Sequence, residues 1–574
     1  MPTEAKESLA AMDEAWTDHP HSGGECIRAT FNPTIVEWGG WYFLNGVLSD
    51  SQRAPEANWG ATPSAGIDLS GSTDVTFWAR GKTGRERVNF LCLGVGRDAE
   101  TGRRTMPYPD SDRARNNGPI QLSTDWTQYR IRLRGADLTA VLGGFAWTCA
   151  ANQNPAFVEF YLDDIRYEGI QRNDPRFLIS YATTPPQLEF DLVMRNVAYT
   201  YDNAVAGIAL LACGETERAL LLAKAFLLAM DHDRCWDDGR LRNAYQGGHL
   251  FLPKGWRPFG RENTVRLPGW FGRVNSQPNE NASPKIPGSV HMQWCEDEVM
   301  TSTTTGNLAW AMLFLLAVHQ KLGDEDALQG ALRLGQWITS NCKTEGDPGG
   351  YTGGVNGECE LPDGVGHFHW KSTEHALDLA CAFERLAEAT GDSLWHEQAL
   401  HACQFTWKMW DERDGKFWTG TTEDGRSLNT YPVPLDPQSW SILAFGITDV
   451  RIQATYEYAL GHVRCRAEPA CADGFDYNME DGDGIWYEGT AQMALACRLA
   501  GNDAGAEEIL QLLRSRLEPS GALPAADRDG LTTGFKLHNG EDQCYFHRAH
   551  IGATAWYILA EQGINPFWYG SSHR

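Results

Sequence analysis

The chain has 574 residues, of which 42% are hydrophobic and 22% charged, and its formal net charge is −26. This length exceeds what one compact core usually accommodates and predicts two domains, while the composition is that of an ordinary globular protein and disfavours a disordered chain. The charge disfavours nucleic acid, an anionic membrane surface and a polyanionic glycan as partners, because each would be repelled. A neutral or cationic substrate is therefore favoured.

The first 20 residues are polar and show no basic region followed by an apolar one, so the sequence as given carries no export signal and predicts a cytoplasmic protein. Secretion or export to a periplasm stays open if a signal preceded this sequence. The 14 cysteines are scattered without CxxC spacing, and several, such as Cys213, Cys381 and Cys497, lie in apolar runs. That pattern favours structural free thiols, in weak agreement with a reducing compartment.

Residues 1–24 are interpreted as an N-terminal tail, and residues 25–170 have the pattern of strands. Residues 74–80 and 129–133 alternate polar with apolar side chains, and residues 157–162 do so in part. Several short strands at this spacing predict an antiparallel β-sandwich of jelly-roll form. Residues 122–129 and 161–165 resemble the closing strands of carbohydrate-binding jelly-roll modules.

Four aromatic residues in this first region have two interpretations. Trp38, Trp41, Tyr42 and Trp59 either stack on the flat apolar faces of sugar rings or belong to the sandwich core or an interdomain contact.

A linker is predicted at 171–186, and from residue 187 to 574 the period of the apolar residues is helical. Helical runs come in pairs that are separated by a glycine and a polar residue, as at Gly214, Gly323, Gly391 and Gly501. A glycine just past a helix end fits a left-handed C-cap, so each pair is predicted to form an αα-hairpin. The apolar run Leu308 to Val318 is too short to cross a bilayer and predicts a helix buried on all sides.

Six of the helical runs begin with carboxylate, hydroxyl, amide or tryptophan residues. Since these clusters all precede the first helix of a pair, we expect them to meet at one rim of an (α/α)6 toroid, around a sugar-sized pocket. The six openings lie at 201–203, 294–307, 370–375, 435–440, 486–490 and 547–550.

The helical region resembles the six-hairpin glycosidases. The resemblance rests on 201–204, 486–492, 553–556 and 565–568 and covers roughly residues 185 to 570. It implies a glycan cleft at the N-terminal ends of the inner helices, with acid catalysts among the carboxylates there, and it does not identify one family or substrate.

Hydrolysis of a glycosidic bond needs one carboxylic acid to protonate the leaving oxygen and a second carboxylate to activate water or attack the sugar. Glu488 is the first candidate and Glu374 the second, with Asp202 and Glu296 as replacements. Glu488 and Glu374 each have a structural alternative, since an acid in the first turn of a helix is favoured by the helix dipole and can serve as a cap. The alternative for Asp202 is to orient the first hairpin, and only one of the adjacent acids Glu296 and Asp297 is expected to face the cleft. The expected substrate-binding residues are Trp294, Asp297, Trp370, Lys371, His375, Asp436, Gln438, Trp440, Trp486, Tyr487, Tyr245 and Trp256.

Neither a metal nor a cofactor is predicted. The sequence has no HExxH, EF-hand, P-loop or dinucleotide motif in the required context, and the acidic turn at 479–484 is interpreted as solvated.

Three functions stay open at this point. The first is hydrolysis of a neutral oligo- or polysaccharide. The second is a polysaccharide lyase on the same toroid, with His249, His369, His547 or Tyr245 as base, although a uronate substrate conflicts with the charge of −26. The third is a non-catalytic glycan-binding or assembly protein. The oligomeric state cannot be predicted.

Overall fold

The structure is a computed structural model that describes residues 10–571 except 23–24, 45–56, 62–65, 170–172, 184–187, 252–263, 274–291, 358–365, 463, 466–473, 479 and 538–539. It combines antiparallel β-sheets in the N-terminal part with helices in the C-terminal part. Among the described residues, no helix combines the length and the apolar character needed to span a membrane.

Two antiparallel sheets in the N-terminal part share one apolar core. Their strands are β1 Ala10–Trp16, β2 Cys26–Phe31, β3 Trp38–Leu44, β4 Asp74–Gly81, β5 Arg87–Cys92, β6 Arg115–Gln121, β7 Thr127–Arg132, β8 Gly143–Ala150 and β9 Val158–Glu168. One sheet has the order β1-β2-β9-β4-β7 and the other the order β3-β8-β5-β6. The core includes Phe77, Phe90 and Phe160. Strands predicted at 74–80, 129–133 and 157–162 are confirmed by β4, β7 and β9.

The N-terminal tail predicted for residues 1–24 differs from the structure, because Ala10–Trp16 forms β1. This strand pairs antiparallel with β2 and lies at the edge of its sheet. An edge strand has a pairing partner on one side only, so its sequence does not need the strong alternation of a central strand. The polar composition that suggested a tail is compatible with that position.

Thirteen helices lie in the described part of the chain after residue 188. They are α1 Glu189–Met194, α2 Thr200–Ala212, α3 Thr216–Asp231, α4 Glu298–Thr301, α5 Thr305–Leu322, α6 Glu325–Asn341, α7 Thr373–Thr390, α8 Ser393–Lys408, α9 Asp436–Phe445, α10 Val450–His462, α11 Tyr487–Leu499, α12 Asp503–Ser515 and α13 Ile551–Gln562. Gly323 and Gly391 are left-handed C-caps of α5 and α7, both with φ of 70°, which confirms the predicted hairpin turns.

The long helices pack first as hairpins and then around one another. The hairpins are α2 with α3, α5 with α6, α7 with α8, α9 with α10 and α11 with α12. The first helices of the hairpins also contact each other in succession, α2 with α5, α5 with α7, α7 with α9, α9 with α11 and α11 with α13, and α13 contacts α2. Every residue of Leu308–Val318 in α5 is buried, as predicted.

Short strands connect the linkers between helices. They are β10 Arg176–Phe177, β11 Val197–Tyr199, β12 Ala244–Gln246, β13 Gly248–His249, β14 Trp270–Arg273, β15 Met292–Cys295, β16 Thr303–Thr304, β17 Gly354–Val355, β18 His367–Phe368, β19 Trp410–Asp411, β20 Lys416–Phe417, β21 Gly420–Thr421, β22 Leu428–Asn429, β23 Arg464–Cys465, β24 Gly474–Phe475, β25 Leu531–Lys536 and β26 Asp542–Tyr545. β10 lies within the predicted linker 171–186 and pairs with β13, so this segment packs with the helical part.

Ten of the described cysteines form no disulfide. Cys235, however, is disulfide-bonded, which differs from the free-thiol prediction. Disulfides persist mainly in oxidising compartments, so Cys235 gives no support to the cytoplasmic prediction.

Candidate active site

The residues just before the inner helices are held by β-bridges to neighbouring linkers. Tyr181 bridges His550 ahead of α13, Ser372 bridges Gly420 ahead of α7, Pro434 bridges Asn478 ahead of α9, and Trp486 bridges Ala526 ahead of α11. Each bridge fixes the backbone where a helix begins. The side chains in the first turns of these helices therefore project from backbone that is held in place by these bridges.

First-turn acids from four different helices lie within electrostatic reach of one another. Burial is the main cause that raises the pKa of Glu488 on α11, and repulsion by Asp202 on α2 and Glu374 on α7 raises it further. Burial likewise raises the pKa of Asp436 on α9, to which Glu374 and Glu488 add repulsion. The structure therefore brings together Asp202, Glu374, Asp436 and Glu488 from separate sequence openings.

A chain of two hydrogen bonds links Glu488 to two other helices. The Tyr201 hydroxyl donates to Glu488 Oε1, and the Trp556 indole N–H donates to the Tyr201 oxygen at 2.7 Å. Because Trp556 can only donate, the Tyr201 proton is directed to Glu488. Burial raises the pKa of Glu488 to about 7, while His550 and the Tyr201 hydrogen bond act in the opposite direction by stabilising the carboxylate.

His550 links Asp202 to Glu488. Its Nε2 lies 3.1 Å from Asp202 Oδ2, its Nδ1 accepts the Ala553 N–H at 3.3 Å, and Nδ1 is 3.8 Å from Glu488 Oε2. Since Nδ1 accepts, Nε2 carries the proton of a neutral ring and donates it to Asp202. Burial lowers the pKa of His550, but attraction to Asp202 and Glu488 outweighs it, so the pKa is raised.

The spacing of Asp202, Glu488 and His550 also raises the question of a metal. One ligand atom of each lies within 4.8 Å of the others. A nitrogen that ligates a metal needs its lone pair, and both ring nitrogens of His550 are already hydrogen-bonded, to Asp202 and to Ala553. The three residues therefore fit a hydrogen-bonded cluster better than a set of metal ligands.

Gly552 allows these carboxylates to approach α13 closely. A Cβ atom at this position would lie 2.8 Å from Asp202 Oδ1 and 2.8 Å from Glu488 Oε2. Cβ atoms do not make contacts this short, so a side chain here would displace one carboxylate or the helix. The absence of a side chain in the first turn of α13 is part of the geometry of the site.

Glu374 has a different environment from Glu488. The helix that carries it is capped by the Ser372 hydroxyl, which accepts the His375 N–H at 3.3 Å, so Glu374 is not needed as the cap. Burial raises the pKa of Glu374 to about 7. The neighbouring His375 is hydrogen-bonded to Thr305 Oγ1 at 3.0 Å, and burial lowers its pKa to about 4, which leaves its ring neutral at pH 7.

Glu296 and Asp297 have other partners. Arg234 binds both carboxylate oxygens of Glu296, at 2.9 and 2.7 Å. Asp297 is the N-cap of α4, where its carboxylate accepts the Met300 N–H at 3.0 Å. Both carboxylates are thus engaged in structural contacts.

The residues expected to bind substrate differ in their contacts and in their burial. Gln438 bonds the backbone of Phe417 through both ends of its amide, at 2.8 and 2.9 Å, and the Tyr245 hydroxyl accepts the Arg242 N–H at 2.8 Å. The remainder are Lys371, Trp440, Trp486 and Tyr487, which are buried, and Trp370, which is half-buried with its ring 5.5 Å from that of His375. The side chain of Trp294 and all of Trp256 lie outside the described residues.

Three tyrosines at the site come from linkers that the sequence did not single out. The Tyr181 ring stacks on His550 at 4.3 Å, and Tyr477 and Tyr545 lie 5.0 and 5.6 Å from Trp486. Burial raises the pKa of all three phenols well above the usual value, and Glu488 adds to the effect. These tyrosines are therefore neutral hydroxyl groups close to the acids. Asp378, one turn after Glu374, is a further buried acid that sequence reasoning missed.

Comparisons with known proteins give only distant likenesses. No family model matches the chain, and no curated protein matches it. A wild-type glycosidase structure is 11% identical, with a TM-score of 0.42 over 67% of this chain and 91% of its own. Cellobiose 2-epimerase from Bacillus thermoamylovorans is 10% identical, with a TM-score of 0.44 over 68% and 94%. A possible GH105 family member from Klebsiella pneumoniae is 12% identical, with a TM-score of 0.36 over 46% and 71%. Similarity at this level assigns no family and no activity.

Proposed function

We propose that the protein is a glycoside hydrolase that cleaves a neutral oligo- or polysaccharide, and that its six successive inner helices form an (α/α)6 toroid. The observation that carries the proposal is the pairing of Glu374 and Glu488. These two carboxyl groups come from different helices, repulsion by Glu374 contributes to the raised pKa of Glu488, and both have a pKa raised to about 7. Hydrolysis of a glycosidic bond uses such a pair.

The surroundings of the two acids support different roles for them. Glu488 accepts a hydrogen bond from the Tyr201 hydroxyl, and this contact favours its carboxylate form. Burial alone is the cause of the raised pKa of Glu374, which favours the protonated form. Glu374 is thus the general acid that protonates the leaving oxygen, and Glu488 the carboxylate that activates water or attacks the anomeric carbon.

A panel of neutral glycans, read by the release of reducing ends, tests this function. We expect turnover by the wild-type protein and a loss of about 100- to 10,000-fold in kcat for both Glu374→Gln and Glu488→Gln. Glu296→Gln is the matched control, because Glu296 is paired with Arg234, and it should keep kcat within about tenfold of wild type. NMR detection of the first anomer released then distinguishes retention from inversion.

Two results would contradict the proposal. Full activity in Glu488→Gln would remove Glu488 as a catalytic residue. Binding of glycans without any turnover would favour the non-catalytic alternative.

The lyase alternative has less support from the site. His249 lies 3.7 Å from Asp174, and His547 Nδ1 is 2.8 Å from the Ala526 carbonyl oxygen. A uronate would also be repelled by Asp202, Glu374, Asp436 and Glu488 wherever these are ionised. Products of a lyase absorb in the ultraviolet, so the same reactions followed by absorbance separate the two chemistries.

A further inference from the structure

His550 lies between two acids of the site and also caps a helix. Its Nε2 is 3.1 Å from Asp202 Oδ2, and its Nδ1 is 3.8 Å from Glu488 Oε2. The same Nδ1 accepts the Ala553 N–H at 3.3 Å and so forms the N-cap of α13. His550 is 4% exposed, and the two acids are 3% exposed each. The three side chains therefore exchange protons with one another more readily than with bulk water.

The helix cap on Nδ1 is a weak contact. A backbone N–H usually donates over about 2.9–3.0 Å, so the hydrogen bond from Ala553 at 3.3 Å is long. The neighbour of Nδ1 on the other side of the contact is Glu488 Oε2, an oxygen that has no proton to offer while the carboxyl group is ionised. Once Glu488 gains a proton, the two atoms become a donor and an acceptor, and such pairs tighten during a reaction.

The surroundings of the ring hold it in this position. The Tyr181 ring stacks on His550 at 4.3 Å. A Cβ atom at Gly552 would lie 2.8 Å from Asp202 Oδ1, from Glu488 Oε2 and from His550 Cε1, so glycine leaves these three side chains in direct proximity. The charged groups that act on the ring are Asp202 on α2 and Glu488 on α11, and attraction to both raises its pKa. Tyr181 stays neutral, because burial raises the pKa of its phenol well above the usual value.

We propose that His550 and Asp202 are positioning residues that act through Glu488. His550 Nδ1 takes the proton that Glu488 removes from the attacking water, and Asp202 stabilises the imidazolium that results. The three residues form a proton relay. This role rests on the proposed hydrolysis, and it requires that Glu488 activates water, which is the inverting course of glycoside cleavage.

The relay keeps the protons in balance over a turnover. As the water oxygen bonds to the anomeric carbon, one water proton moves to Glu488, and Glu374 gives its proton to the leaving oxygen as the glycosidic bond breaks. Glu488 then passes its proton to His550 Nδ1, which releases the Ala553 N–H. Because Asp202 lies 3.1 Å from Nε2, the imidazolium is a paired charge and not an isolated buried one. The enzyme is reset when Glu374 takes a proton from solvent and His550 gives one up.

The variants His550→Asn and Asp202→Asn test the relay by kinetics. Asparagine can still cap α13, so the melting temperature of His550→Asn should stay nearly unchanged, but its amide takes up no proton. We expect each variant to lose roughly 100-fold in kcat. His550 also lowers the pKa of Glu488, so the acid limb of kcat/KM should move upward in His550→Asn. His396→Gln is the control, because His396 pairs with Glu384 at 2.7 Å on the surface, and it should behave like wild type.

Nitrogen-15 NMR of the histidine rings tests the same contacts without substrate. The His550 signals are those absent from His550→Asn, and at high pH they should show a ring with its proton on Nε2. We expect the pKa of His550 to fall in Asp202→Asn and in Glu488→Gln, because each substitution removes a negative charge that attracts the imidazolium. A pKa that stays the same in both variants would overturn the proposal.

Three kinetic results separate this proposal from the proposed function. A wild-type kcat in His550→Asn, or an acid limb that does not move, would overturn the relay and leave hydrolysis in place. Retention at the anomeric carbon would do the same, because Glu488 then attacks the sugar and collects no proton from water. A glycan panel without any turnover would overturn hydrolysis and the relay together.

Discussion

The Tyr201 hydroxyl is the residue-scale feature that distinguishes the two catalytic candidates. It accepts a hydrogen bond from Trp556 at 2.7 Å and donates one to Glu488, so one hydroxyl group connects the indole to the carboxylate. This bond stabilises the ionised form of Glu488 and lowers its pKa. Glu374 has a raised pKa for which burial is the cause. A substitution that removes this hydrogen bond should therefore change the pKa of Glu488 and leave that of Glu374 as it is.

Replacing Tyr201 by phenylalanine should shift one limb of the pH profile. Without the hydroxyl, the pKa of Glu488 rises above about 7, and a base with a higher pKa becomes active only at higher pH. We expect the acid limb of kcat/KM for Tyr201→Phe to move upward while the basic limb stays in place. Initial rates from pH 4 to 9 provide the measurement. Movement of the basic limb instead would show that Glu488 is the acid, with the roles reversed.

At the scale of elements, the starts of the inner helices determine where the acids point. Ser372 caps α7 directly before Glu374, and Asp392 caps α8, which is the second helix of the same hairpin, by accepting the Leu394 N–H at 2.9 Å. The two caps have the same structural task, but only the first lies beside a catalytic candidate.

Removing these two caps should separate stability from activity. Ser372→Ala and Asp392→Ala should each lower the free energy of unfolding by about 1 kcal/mol. Only Ser372→Ala should also lower kcat, by several-fold, because the first turn of α7 carries Glu374. Chemical denaturation and steady-state kinetics measure the two effects. Equal kcat values in both variants would mean that the position of Glu374 does not depend on its cap.

The same scale shows what the sequence could predict. Helix hairpins were recognisable because Gly323 and Gly391 interrupt strong helical periodicity, and Asp202, Glu374 and Glu488 were recognisable because each precedes or begins an apolar run. Tyr181, Tyr477 and Tyr545 reach the site from linkers, which have no periodicity to place them. The ion pair between Arg234 and Glu296 could not be predicted either. These two residues are 62 positions apart along the chain, so no local sequence pattern connects them.

At the scale of the whole molecule, the net charge of −26 and the acids of the site act in the same direction. Both make the approach of an anionic glycan unfavourable, most of all at low ionic strength. The screening length, which is the distance over which charges still act on each other, is about 30 Å at 0.01 M salt and about 8 Å at 0.15 M. A neutral glycan has no such dependence.

This difference gives a test of substrate class. We expect kcat/KM for a neutral polysaccharide to change less than about twofold between 0.01 and 0.15 M salt, because no charge on the ligand is screened. A polyuronate should be a poor substrate at the lower salt concentration and should bind better at the higher one. Viscometry or reducing-end release at both salt concentrations measures this. A polyuronate preferred at low salt would contradict the neutral-substrate proposal.

The contact between Trp556, Tyr201 and Glu488 joins residues that are 355 and 287 positions apart along the chain. During translation, a nascent polypeptide that has emerged only as far as α12 has Tyr201 and Glu488 but no indole to orient the phenol between them. If the proposed function holds, the protein becomes active only after the ribosome has released α13. A fragment that ends before residue 551 should then be inactive, however well its remaining helices fold.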